Sequence, residues 1–224
     1  MKILSTLAVA TVLRQVLAGR DDVAVVYEPT ARLLARIEAG ERADVAILTE
    51  EAVAALAARG VLTDARPLAL SFVGLAVRAG ATHPDISTVD TLRATLLAAP
   101  SLAYSRAGAS GIFFAQLIER LGIADAVNSK ATVIPQGFAA ELAARGEVAL
   151  AVQQVSELLA VEGIEVVGRF PEGANVTATF SAGVFAGADM GAVTMLAHLA
   201  GMMDHDALLA AGLEPPASGP STPG

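Results

Sequence analysis

The 224-residue chain has no cysteine and no tryptophan, and only seven phenylalanines and two tyrosines. Without cysteine there is no disulfide, no thiolate metal site and no cysteine nucleophile. That absence leaves the compartment undecided. Positive charge is also scarce. Fifteen Lys and Arg stand against twenty-three Asp and Glu, a formal net charge of −8 with no basic stripe to offset it. A nucleic-acid partner is therefore not expected. No uninterrupted apolar run reaches the ~18 residues of a membrane-spanning helix, so no membrane insertion is expected either. Yet hydrophobic residues make up 54% of the chain, mostly Ala, Val and Leu. Such small side chains suit helices packed closely on a sheet.

The start of the chain, Met1-Lys2 followed by an apolar stretch to Leu13, resembles a short export signal. Arg14 and Gln15 interrupt it, and no small-x-small cleavage site precedes the next strand. The better reading is a strand over 2–5 and a helix over about 7–18, which implies a cytoplasmic protein. The pattern then repeats: strand 23–27, helix 31–39, strand 44–48, helix 50–58. Continuous apolar strands alternating with helices imply parallel βαβ units with right-handed crossovers. Ligands of such sheets lie at the carboxyl ends of the strands. Ser5 and Thr30 fall there, at successive strand-to-helix turns.

Two runs break the pattern. Residues 68–80 and 176–186 are extended, interrupted by a glycine, and long for one average strand. They read as crossings between two lobes, one of residues 1–73 plus 179–211 and one of 74–178. Residues 212–224, with four prolines, read as a disordered tail. The second lobe opens at Ser87-x-x-Asp90, a capping-box-like start to a helix ending at 98. It continues with a strand over 102–104 and the turn Ser105-Arg106-Ala107-Gly108-Ala109-Ser110-Gly111. Phe114, Leu117, Ile118 and Leu121 then follow at the spacing of a helix with one buried face. Gly108 and Gly111 let the backbone turn tightly, and Ser110 can cap the helix. The N–H groups at that helix start suit a small anion.

Two α/β lobes joined by two crossing strands resemble the type 2 periplasmic-binding-protein fold, with the ligand in the cleft between lobes and the crossings as hinge. The block from Tyr27 to Val45, with Leu34-Ala35, Ile37, Gly40 and Ala43-Asp44-Val45 in register, resembles the molybdate-binding proteins of ABC importers. Ser5 and Thr30 then fall where that family holds its oxyanion in lobe one. The turn of Ser105, Gly108, Ala109, Ser110 and Gly111 falls near its lobe-two amides. Two positions depart from the family. Gln153-Gln154 stands where the importer proteins commonly have a tyrosine, and Thr30 follows a proline rather than a glycine. The turn Gly-Ala-Ser-Gly-Ile-Phe-Phe with the glutamine pair is more similar to a branch that includes aconitate isomerase, which shifts a double bond in a tricarboxylate.

An isomerase of that kind needs anion holders and a proton carrier beside an acidic carbon. The turns at Ser5, Thr30 and Ser110 are candidate holders, with Arg78 as a bidentate carboxylate partner. Gln136, Gln153 and Gln154, at strand ends, can donate amide hydrogen bonds. Glu28, beside the Thr30 turn, is the expected base, and Tyr104 an acid or ligand donor. Each has a plainer reading: a surface carboxylate, a packed ring, a solvated charge. His83, His198 and Asp204-His205-Asp206 read as solvated or capping residues. No metal and no cofactor is expected. The expected ligand is a small anion, in one of two settings: an isomerase acting on a small unsaturated di- or tricarboxylate, or a non-catalytic oxyanion-binding protein working with an ABC permease. Arg78 in the cleft would favour the first; Arg78 in solvent would favour the second.

Overall fold

The computed structural model describes residues 1–106, 108–135 and 137–216. In the first part β1 (Lys2–Ser5), β2 (Ala24–Tyr27) and β3 (Val45–Thr49) pair in parallel, in the order β2-β1-β3. Every second side chain of a strand faces the same way. Ile3, Val45 and Ile47 therefore pack on one side of this sheet, and Leu4, Ala46 and Leu48 on the other. The first side is covered by α1 (Ala10–Val16), which continues a 3-10 turn (Leu7–Val9), and by α9 (Met190–Met202) and α10 (His205–Ala210). The other side is covered by α2 (Thr30–Glu38) and α3 (Glu50–Ala58). Burial on both faces explains why these strands read as unbroken apolar runs.

β4 (Leu62–Arg78) joins two sheets. Up to Phe72 it pairs antiparallel with β9 (Thr177–Phe185), which itself pairs with β3. From Val73 onward it pairs with β7 (Leu150–Gln154), and from Gly74 with β8 (Ile164–Arg169). The second sheet is completed by β5 (Leu102–Ser105), parallel to both β7 and β6 (Ala131–Ile134). One face carries α4 (Val89–Ala98), α5 (Ala109–Arg120) and α6 (Ala124–Asn128). The opposite face carries α7 (Ala139–Ala144) and α8 (Val155–Leu158).

Three local expectations need correction. The capping box of α4 sits one residue later than read, at Thr88 and Thr91, each side chain bonded to the other's backbone N–H. The N-cap of α5 is Gly108; Ser110 lies inside the first turn, and its side chain caps nothing. The chain from 212 does not leave the fold at once. Leu213 is buried, and Glu214 exchanges two backbone hydrogen bonds with Leu70 at 2.7 and 2.9 Å. Arg169 adds an ion pair to Glu214 at 3.0 Å. One added antiparallel bridge holds these residues, and composition carries no sign of it. Residues 217–224 of the expected tail lie outside the described residues.

Candidate functional site

The carboxyl ends of the parallel strands in the two sheets face each other across a narrow cleft. Thr6 and Leu7 after β1, Pro29 after β2, and Phe180 of β9 line one wall. The other is lined by Ser105 at the end of β5 with Gly108, Ala109 and Ser110 after it, by Gly137 after β6, and by Gln153 and Gln154 at the end of β7 with Glu157 of α8. The enclosed volume is about 20 Å³, room for about one water molecule. Any larger ligand needs the walls to part.

Helix N-termini, not basic side chains, face the cleft. No Lys, Arg or His lines it among the described residues. The residues that cap the 3-10 turn, α2, α5 and α8 (Thr6, Pro29, Gly108 and Gln154) all lie on its walls. First-turn N–H groups have no partner within their own helix and carry the positive end of its dipole. α5 comes within reach of the strand before it because residue 111 is glycine. A Cβ there would lie 1.2 Å from the carbonyl oxygen of Ser105. Gly111 therefore shapes the turn and does not itself line the cleft.

Glu157 is the only titratable side chain on these walls among the described residues. Burial pushes its carboxyl up to about 7, against hydrogen bonds from the Gln153 side chain and the Gln154 backbone that lower it. Gln153 Nε2 donates to Glu157 Oε2 at 3.0 Å, while its Oε1 accepts the N–H of Ala140 at 3.1 Å. Gln154 Oε1 accepts from Ser71 Oγ at 2.9 Å. That bond turns its amide N–H2 away from β4. A neutral-range carboxyl beside bare amides can exchange a proton with whatever anion they hold.

The residues singled out in the sequence divide accordingly. Ser105, Gly108, Ala109, Ser110, Gln153 and Gln154 come together in the cleft. Ser5 is fully buried with Oγ bonded to Thr6 O at 3.0 Å, and its neighbour Thr6 faces the cleft instead. Thr30 lines an adjoining hollow of about 380 Å³ that shares Ala109 with the cleft, and its Oγ1 is buried without a hydrogen-bond partner. Gln136 lies outside the described residues. The remaining three belong elsewhere. Glu28 is held by Arg36 at 2.6 Å, so its carboxylate is already committed to a cation. Tyr104 is fully buried, its ring edge-on to Phe114 at 5.0 Å and its hydroxyl donating to Asn128 Oδ1 at 2.7 Å. It is a core residue. Arg78 is exposed at the far end of β4, in an outer hollow lined by Pro84, Pro100 and Gly146. It makes no contact with the cleft. Glu157 was missed because a glutamate in the first turn of a four-residue helix reads as an ordinary cap. The signal available was its place three residues after the end of a cleft-facing strand.

The fold and the site together define a type 2 periplasmic-binding-protein-like molecule with a cleft between its lobes. Residues 14–201 match the bacterial extracellular solute-binding protein family, and the chain belongs to that family. It is 40% identical over 149 residues to an aconitate isomerase of Pseudomonas. That match takes in 65% of this chain but 56% of the enzyme's length. Among solved structures, the Azotobacter vinelandii periplasmic molybdate-binding protein superposes with a TM-score of 0.75 at 16% identity, over 96% of this chain and 99% of its own. PEB3, a Campylobacter jejuni protein, superposes in its L-phospholactate-bound form with a TM-score of 0.70 at 13% identity, over 96% and 99%. At those identities the structures establish shared fold alone. Among the described residues no helix is long and apolar enough to cross a membrane, and no cluster of His, Asp and Glu is placed to hold a metal ion.

Proposed function

We propose that this chain is an isomerase of a small unsaturated di- or tricarboxylate, bound in the inter-lobe cleft and isomerised by an allylic proton shift. The observation that carries the reading is Glu157. A cleft built only to hold an oxyanion gains nothing from a half-buried carboxyl in its wall, since like charges repel. An isomerase needs such a group. The proton leaves a saturated carbon next to a substrate carboxylate, the double bond moves to that carbon, and a proton returns to the former vinylic carbon. No oxidant, leaving group or metal enters the balance. The helix-start N–H groups at Ala109 and Ser110, with the Gln154 amide, hold the substrate carboxylates and the negative charge that develops during transfer. The 40% identity to an aconitate isomerase supports the same chemistry. Closure of the two walls keeps water from the carbanion.

A second reading is favoured by Arg78. Its position in solvent and the lack of a cation among the described residues of the cleft suit a binding protein that holds a small oxyanion by amides and hydroxyls, serving an ABC permease. The molybdate-binding neighbour points the same way. A thermal-shift screen with cis- and trans-aconitate, citrate, molybdate, tungstate, sulfate and phosphate separates the two, because a ligand of the native state raises the melting temperature by mass action. The isomerase reading expects a rise with the aconitates, and interconversion of the two isomers by proton NMR. A rise with molybdate or tungstate alone would overturn it in favour of the binding protein.

A further inference from the structure

Of the polar side chains on the cleft walls, Gln153 is fixed at both ends. The N–H of Ala140 can only donate, so the Gln153 atom it meets at 3.1 Å must be the carbonyl oxygen. The amide nitrogen is then obliged to face Glu157, 3.0 Å away. Gln153 is 2% exposed, and Glu157 beside it is half-buried. Ala140 lies in the first turn of α7, and Gly137, two residues before that helix, also lines the cleft.

We propose that Gln153 is a positioning residue for proton transfer: anchored on α7 through Ala140, it engages one oxygen of Glu157 and leaves the other to the substrate. Its kinetic consequence rests on the isomerase reading given above; its effect on Glu157 does not. The donated hydrogen bond favours the ionised carboxyl and offsets part of the burial that favours the neutral one. No charged group contributes to the balance at Glu157: burial, the Gln153 side chain and the Gln154 backbone account for it. On β8, packed against α8, Arg169 is turned to Glu214 and Glu165 to His83. Gln153 thus holds Glu157 near the point where it can both take and give a proton at neutral pH.

The test is a carbon-13 NMR titration of the Glu157 side-chain carboxyl, assigned by its loss in Glu157→Gln, in the wild type and in Gln153→Met. Without the donor, the Glu157 midpoint is expected to move up by roughly one pH unit, the scale of one hydrogen bond to a charged group. The acid limb of kcat/KM for aconitate interconversion should move with it, giving about a fivefold loss at pH 7 through kcat rather than KM. Should Gln153→Met fail to fold for want of an acceptor at Ala140, Gln153→Glu keeps that acceptor and presents a like charge, and the midpoint should again rise. An unchanged midpoint in a folded variant would overturn the proposal. A midpoint that moves in a protein whose wild type converts no aconitate would leave Gln153 in its role and remove the isomerase reading.

Discussion

At Glu157 two demands conflict, and the conflict is measurable. Its folded-state pKa, about 7, lies above the roughly 4.3 of an unfolded glutamate. The native state therefore binds more protons between those values, and Glu157 makes the fold less stable as pH rises through that window. The cost is absent below about pH 4 and nearly complete by about pH 8, with an upper bound of about 4 kcal/mol. Glu157→Gln, which cannot ionise, is expected to melt higher than the wild type at pH 8 and to show no advantage at pH 4. A residue kept only as a helix cap would show no such gain. Glu28→Gln, by contrast, should leave isomerisation intact and cost only a half-buried ion pair, about 1 kcal/mol. Residues of this kind were only partly legible in the sequence. Gln153 and Gln154 end an apolar strand, and their place at the cleft followed from topology. Whether Glu28 or Glu157 kept a free carboxyl depended on where Arg36 reached, which no local pattern encodes. Tyr104 failed because strand alternation turns its ring onto Phe114 in the core, and Arg78 because it ends the wrong strand. Strand ends point at the cleft at one end of the sheet only, and Arg78 sits at the other.

At the scale of the element, the turn between β5 and α5 does most to shape the cleft, and its two glycines serve different ends. A Cβ on Gly111 would collide with the Ser105 carbonyl oxygen, whereas one on Gly108 meets nothing within 4 Å. Gly111→Ala must push α5 off β5. It is expected to lose on the order of 2–3 kcal/mol, as in overpacked sites, read from urea melts. Gly108→Ala should keep its stability and instead weaken ligand binding, since Gly108 lines the cleft and a methyl group would intrude on it. Equal losses of stability in both variants would contradict this division. The helix itself was plain in the sequence from Phe114, Leu117 and Ile118, all fully buried. α6 was not, because five residues are too few for a helical period to register. The Leu70–Glu214 bridge also escaped, since a single long-range pairing leaves no periodic trace.

At the scale of the whole molecule, the alternation of covered strands and helices made the α/β class and the paired sheets legible. β4 and β9 were visible as extended runs longer than an ordinary strand. The distribution of charge was not visible. Among the described residues the cleft is lined by helix starts rather than by arginine or lysine, so a count of basic residues says nothing about it. A −8 protein can hold an anion by such means. Whether it also converts that anion is the central question. It is settled most directly by following trans-aconitate by proton NMR with the wild type and with Glu157→Gln, each shown by thermal shift to bind it. Conversion to the cis isomer by the wild type, falling at least a hundredfold in a variant that still binds, is the expected result, the scale of a lost general acid–base group. Conversion at the wild-type rate in Glu157→Gln would contradict the account. Binding with no conversion by either protein would leave the cleft an anion holder alone.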